Sequence, residues 1–459
     1  DEDAKINVKD ELGISEIYNT DYRLNGGIGV NITKFLNDLK HVVVAIALSR
    51  PLFIVKDYDS LNKSYSLSYL GLNEFKTLME TFNLGKYYKD GKLKDVNGWM
   101  VYKSGKNKTL LMKKGYKFYS EDPRVFSIFN GYDYDIVDDV NDSRVQMWLN
   151  HIKEVLANND EIVCDYIIKW YAYILQNIGK KAKVVLLLTG IEGCGKSIVS
   201  LLFSKLFGVF GEDNITNIDD VCGKFNSVVE NKKFIVCNEL SSVENNKAFN
   251  PESMKGLITE YSVRINEKNE HKRTSENVAS FMMISNDSVP VKISRDDRRY
   301  MICECSPKYA NNLKYFAPFY ESLEDRQFLD QMFTFFMKLD IEGYSPSNIP
   351  KTKAKEEVLD ILKSPYEQYV ESTVEGFDEK GENVEDYYKG YRQFAVSHGF
   401  AVASINTFGK ETRRFIIKKR VRINGGLENR YFLNEEYKQK VLSNDGVDID
   451  FDLIDDVHV

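Results

Sequence analysis

Little in this sequence invites a metal cluster or a disulfide framework. The six cysteines, Cys164, Cys194, Cys222, Cys237, Cys303 and Cys305, form no CxxC pair, and the five histidines are scattered. Zinc-binding spacings are therefore absent. Several of these cysteines lie in apolar, strand-like runs, where a reduced thiol behaves as a small hydrophobe. The expected setting is a reducing, intracellular compartment. No run of 18 or more apolar residues occurs, which excludes a membrane-spanning helix of ordinary length. No repeat of 20–50 residues is visible, so a solenoid is not indicated. Positive charge is not in excess: 62 Lys and Arg face 69 Asp and Glu, for a net charge of -7. Affinity for nucleic acid would have to come from local basic surface, not from the average. The start, Asp1-Glu2-Asp3, has no Met and no signal-peptide pattern. A fragment of a longer protein is one reading of that start, and whether a domain lies upstream stays open.

The 459 residues are 43% hydrophobic and 29% charged, enough for a sizeable core spread over several domains. Residues 1–135 read as mixed α and β. Val42–Ile46 and Pro51–Val55 have strand length, Tyr65, Leu67 and Tyr69 alternate with serines, and residues 74–83 suit a helix. Asp57-Tyr58-Asp59 reads as a charged turn between two strands, although paired aspartates after a strand can also hold metals. Residues 136–180 switch to helical period. Trp148, Ile152, Val155 and Leu156 form one stripe, and Ile162, Tyr166, Ile167, Trp170, Tyr173 and Ile174 another. Residues 181–345 alternate strand, Gly-rich turn and helix, an α/β nucleotide-binding pattern. A small domain at 352–442 and an acidic tail at 443–459 complete the chain.

The most specific signal is Gly190-Ile191-Glu192-Gly193-Cys194-Gly195-Lys196-Ser197, a GxxxxGK[ST] match. It follows the apolar run Lys183–Leu188 and opens an apolar helix pattern from Ile198 to Phe207, the setting the motif requires. Glycines let backbone N–H groups turn inward around phosphates, and the helix N-terminus adds partial positive charge. Lys196 is expected on the β- and γ-phosphates of ATP, and Ser197 on Mg²⁺. A second strand, Phe234–Cys237, ends in Asn238-Glu239. Glu239 suits the base that polarises attacking water, and with Asn238 it is a candidate for the metal side of the site. Asn238 replaces the acid usual there; its amide oxygen can orient a metal-bound water but brings no charge. A third strand, Ser280–Ser285, ends in Asn286, placed to touch the γ-phosphate or the water. Arg298 and Arg299 then precede a fourth strand, and either suits an arginine finger supplied to a neighbour's ATP. A surface ion-pair cluster with Asp296 and Asp297 is the plainer alternative.

This ordered set, GIEGCGKS, FIVCNEL, a middle motif, FMMISND and DDRRY, resembles a superfamily 3 helicase of the AAA+ class. More narrowly, it is similar to the helicase half of poxvirus-type and of phage or plasmid primase–helicases. The resemblance covers residues 140–305 well and extends more weakly to 125–132 and toward residue 435. It implies an α/β AAA+ P-loop NTPase core, a ring-shaped hexamer, translocation on single-stranded DNA, and a primase domain or protein and other replication factors as partners. Such relatives often carry a non-acidic residue before the catalytic Glu, as at Asn238. The middle motif implies a channel hairpin at Val263–Arg273, with Lys268, His271 and Lys272 on phosphates; alone, the same residues also read as a solvated polar loop. The segment 352–442 suggests helices followed by a basic hairpin, a winged-helix-like domain. Arg413, Arg414, Lys418, Lys419, Arg420 and Arg422 are candidates for DNA backbone contacts there, or for pairing with the acidic tail. A different class stays open: an ATP-regulated DNA-binding initiation module with little unwinding.

Overall fold

In the computed structural model, the described residues are 12–24, 29–48, 50–59, 64–104, 112–129, 131–238, 251–268, 272–294, 297–423 and 426–442. The chain divides into two compact units, residues 1–358 and 359–459. Among the described residues, no helix is long and apolar enough to cross a membrane, and no His/Cys/Asp/Glu cluster could hold a metal ion.

The first unit is organised on five parallel strands: β1 (Val185–Thr189), β2 (Gly211–Ile215), β3 (Phe234–Cys237), β4 (Ser280–Ile284) and β5 (Tyr300–Glu304). Their order across the sheet is β2-β3-β4-β1-β5. All residues of β1, β3 and β4 are buried, as a parallel sheet covered on both faces requires. Because every pairing is parallel, the sheet has two chemically distinct edges. The loops leaving all five strands gather at the carboxyl edge, where α/β sheets bind ligands.

One face of this sheet carries the helix Lys196–Phe207, which buries Val199, Leu202, Phe203 and Leu206. Phe203 stacks on Tyr171 of the helix Glu161–Gln176, ring centroids 3.7 Å apart. Asp160 caps that helix by accepting from the Ile162 and Val163 N–H groups. Ile162, expected on its apolar stripe, is 71% exposed. It lies in the first turn, and the buried stripe begins only at Val163. Preceding helix Ser143–His151 runs into a π-helical turn, Ile152–Leu156.

Residues 12–129 build a four-stranded sheet ordered Ser64–Gly71, Leu52–Asp59, Val43–Ile46, Met112–Lys113. Alternate residues of Val43–Ile46 serve different cores. Val44 and Ile46 join the main hydrophobic cluster, whereas Val43 and Ala45 pack with Phe35, Phe53, Phe75 and Met79. Two expectations are corrected in this region. Val42 ends a helix, Ile32–Val42, capped by Asn31 and buried through Phe35, Leu36 and Leu39; the apolar run from Val42 spans a helix end and a strand start. Asp57 and Asp59 belong to the strand Leu52–Asp59 and not to a turn. Asp57 accepts from the Ser15 N–H at 3.1 Å and its hydroxyl at 2.9 Å, a tie to a neighbouring helix.

The second unit runs helix Pro365–Thr373, short strand Glu382–Asn383, helices Val384–Ser397 and Ile405–Glu411, then the hairpin Ile416–Ile423 with Gly426–Leu433. Glu382–Asn383 pairs with the outer side of Gly426–Leu433. Its core is largely aromatic: Tyr369, Tyr387, Tyr391, Phe408 and Tyr431.

Candidate functional site

At the carboxyl end of β1 the chain turns through Gly190 (φ 138°), Gly193 (φ 74°) and Gly195 (φ 102°), all left-handed, before entering the helix at Lys196. Space, as well as conformation, demands glycine. A Cβ on Gly195 would lie 2.6 Å from His151 Cε1 and 2.7 Å from Phe316 Cε1, and one on Gly193 would clash with Asn311 Oδ1. Lys196 is only 5% exposed. Its ammonium donates to the Gly190 carbonyl (2.7 Å), the Ile191 carbonyl (2.8 Å) and Asn286 Oδ1 (3.0 Å). The loop thus bends round its own lysine, and the end of β4 meets it there.

The cleft around this ammonium has a volume of about 450 Å³. Ser197, exposed at the start of the helix, lines it, with Thr216 after β2, Asn238 after β3 and Ser285 after β4. The Asn238 amide is fixed by donating to the Asp213 carbonyl at 2.5 Å. Its Oδ1 is buried and has no hydrogen-bond partner among the described residues. Glu239 and His271 lie outside the described residues.

Two features packed against the glycine loop were not legible in the sequence: the place of His151 and the environment of Cys194. His151 is fully buried, with Nε2 3.0 Å from the Gly195 carbonyl and Nδ1 3.1 Å from the Tyr315 hydroxyl. The carbonyl can only accept, so Nε2 carries the proton and Nδ1 accepts from Tyr315. Burial pushes the imidazole below its ordinary value of 6.5 and favours this neutral form. The signal was a histidine within the apolar stripe of Trp148 and Ile152. The second feature is Cys194, also fully buried. A hydrogen bond from Cys305 and the Lys196 ammonium, 3.7 Å from its sulfur, draw the thiol down to about 6.

The remaining candidates lie elsewhere. Strands Ser262–Ile265 and Arg273–Glu276 form the expected antiparallel hairpin. It enters the sheet ahead of β4, at the amino edge. Lys268 and Lys272 are exposed on either side of its tip. Arg273 pairs with Glu230, which accepts a short charged hydrogen bond, and with Glu267 at 2.9 Å. Arg298 and Arg299 precede β5 at the same amino edge. They differ in their surroundings: Arg299 pairs with Asp297 at 3.1 Å, whereas Arg298 is exposed. The register pairs Tyr300 with Val185 and Glu304 with Thr189. A strand length of about 16 Å, at 3.3 Å per residue, therefore separates Arg298 from its own chain's cleft.

In the second unit, Arg413 and Lys418 line a cleft with Lys410, which the sequence reading passed over. Strand alternation puts Lys418, Arg420 and Arg422 on one face and Lys419 on the other, where its ammonium lies 5.5 Å from the centre of the Phe432 ring. Arg414 is exposed in the turn before the strand.

Comparison with known proteins adds three findings. Residues 188–299 match a family of unknown function, DUF5906. A DNA primase-polymerase of Nitratiruptor phage NrS-1 is 32% identical over 143 residues, which are 30% of this chain and 19% of that protein. The match thus spans about a fifth of the length of this curated relative. Two solved apo structures of the NrS-1 C-terminal region share the fold. One has a TM-score of 0.60 at 17% identity, covering 88% of this chain and 99% of that one. The other has a TM-score of 0.60 at 16% identity, covering 88% and 98%.

Proposed function

We propose that this chain is an ATP-hydrolysing helicase motor of the superfamily 3 AAA+ class, acting on single-stranded DNA in the replication of a phage, virus or mobile element. The observation that carries the reading is the Lys196 ammonium, wrapped by a glycine loop and met by Asn286 at the carboxyl edge of a parallel sheet. A triphosphate lying across the start of the helix Lys196–Phe207 would meet inward-turned N–H groups, the helix dipole and this cation together. Lys196 exchanges its loop carbonyls for the β- and γ-phosphate oxygens, and Asn286 orients the γ-phosphate or the water. Glu239, directly after Asn238, takes the role of base toward that water.

The residues present fit Mg²⁺. The Ser197 hydroxyl is exposed on the cleft, and Asn238 Oδ1 is a buried acceptor in want of a donor such as a metal-bound water. When bound, the ion neutralises charge on the phosphate oxygens. Asn238 supplies no charge, which leaves the acid's role to Glu239, the next residue in the sequence.

Arg298 is the finger in this reading, and it serves a neighbouring subunit, since its own cleft is a strand length away. That requirement supports a ring-shaped oligomer, a hexamer in this class. Lys268, His271 and Lys272 hold phosphates of the translocated strand. The second unit, with its helix–strand–helix–helix–strand–strand order, supports a winged-helix-like DNA-binding role for Arg413, Arg414, Lys418, Arg420 and Arg422, with Lys419 on the far face. The phage relative's name, a DNA primase-polymerase, supports a replication setting, with a primase as the expected partner.

A strand-displacement assay tests the function. Unwinding of a tailed duplex that requires Mg²⁺–ATP supports the motor. ATP-dependent assembly on DNA without displacement would favour an initiation module instead.

A further inference from the structure

Leu313 is 84% exposed and Tyr320 55% exposed, a costly placement for two large apolar side chains on one helix. Both line the cleft that holds Lys196, together with Phe316. The three positions are spaced i, i+3 and i+7 on the helix Leu313–Leu323, so they share one face. The same helix is anchored by its buried residues: Phe319 meets the Trp148 ring edge-on, centroids 5.0 Å apart. It is also fixed to the glycine loop. The Asn311 N–H donates to the Gly193 carbonyl at 3.1 Å, and the Phe316 ring abuts Gly195 closely enough to bar a Cβ there. The apolar strip is therefore held at a set distance from the phosphate cradle.

We propose that Leu313, Phe316 and Tyr320 form the wall against which the base of the bound nucleotide packs, making Leu313 and Tyr320 determinants of nucleotide affinity. This rests on the reading that a triphosphate occupies the loop at 190–197. The wall offers an aromatic face and apolar surface, the chemistry that covers a planar base. Asn238, Ser285 and Asn286, by contrast, belong to the strand ends where phosphates are expected, and Asn311 is the polar side chain that lines the cleft from the turn before the wall helix. Leu313, Phe316 and Tyr320 thus meet the face of the base.

The test compares ATP with inorganic tripolyphosphate, which has phosphates but no base, by titration calorimetry of the full chain with Mg²⁺. Both substituted residues are exposed, so Leu313→Ala/Tyr320→Ala leaves the core intact. The double variant is expected to bind ATP about tenfold more weakly, as the loss of a stacked ring implies, and tripolyphosphate unchanged. Tyr320→Phe is expected to keep wild-type affinity for ATP. Unchanged ATP affinity in the double variant, equal loss for both ligands, or wild-type ATP binding no tighter than tripolyphosphate would each overturn the wall. Wild-type protein that bound neither ligand would instead overturn the nucleotide reading beneath it.

Discussion

The two edges of the central sheet are built on opposite principles. At the carboxyl edge the key groups are buried and tied: Lys196 is held by two carbonyls and Asn286, and the Asn238 amide is fixed on Asp213. At the amino edge the corresponding cations, Lys268, Lys272 and Arg298, are exposed. Only the residues behind them are pinned, Arg273 on Glu230 and Arg299 on Asp297. A preorganised edge suits chemistry, because its dipoles need no rearrangement when charge develops. An exposed edge with a rigid base suits contact with other molecules. The strands β3, β4 and β5 connect the two, so displacement at one end has a stiff path to the other.

The sharpest break in this comparison is at Arg298. Arg298→Ala is expected to lower kcat for ATP hydrolysis about a thousandfold, the scale of a lost arginine finger. Mixing it with Lys196→Ala subunits is expected to restore activity above either alone, since one interface in the mixture pairs an intact cleft with an intact finger. Failure to recover on mixing, with both variants assembled, would place the finger in its own chain and erase the distinction between edges.

Gly195→Ala probes the carboxyl edge without removing a charge. The new Cβ meets His151 and Phe316 at a φ of 102°, which costs a non-glycine residue about 1–3 kcal/mol before any clash. ATP affinity should fall by about a hundredfold in calorimetry, with thermal stability reduced as well. Normal affinity would mean that the loop tolerates reshaping and is no cradle.

At the amino edge, Lys268→Ala/Lys272→Ala should leave ATP affinity intact and weaken single-stranded DNA binding. Each lost phosphate contact reduces the salt slope by about 0.7, so about 1.4 for the pair. A slope unchanged between wild type and variant would return the hairpin to a solvated loop.

The smallest effect concerns His151. Its buried imidazole has a depressed pKa, so the unfolded chain binds the extra proton more readily than the fold. Stability is therefore full above the ordinary value of 6.5 and falls as pH drops below it. Urea denaturation should show this loss, up to about 1 kcal/mol per pH unit, and His151→Gln should remove that component. An identical pH dependence in the variant would show that His151 does not titrate as its burial requires.

Local patterns explain what could be read from the sequence. The strand–glycine loop–helix at 185–207 and the hairpin at 262–276 are each set by residues close in the chain. So is the alternation of half-buried Tyr65, Leu67 and Tyr69 with exposed Ser66 and Ser68. Sheet order was not legible, because placing β4 between β3 and β1 depends on pairings between residues far apart in the chain, Phe234 with Ser280 and Leu186 with Met282. The same holds for His151 and Tyr320. One is a polar residue on an apolar stripe and the other an aromatic in a helix, and only the fold brings them to the loop. The run from Val42 misled because both a helix end and a strand start are apolar when each is buried. Arg298 and Arg299 looked equivalent until Asp297 was seen to claim one of them.

The most direct measurement is steady-state hydrolysis of Mg²⁺–ATP by the full chain and by Lys196→Ala, each with and without single-stranded DNA. Hydrolysis stimulated by DNA in the wild type and nearly abolished in the variant is the predicted result. Turnover that survives in Lys196→Ala, or a wild-type chain that leaves ATP intact, would contradict the proposal that the loop at 190–197 holds the triphosphate.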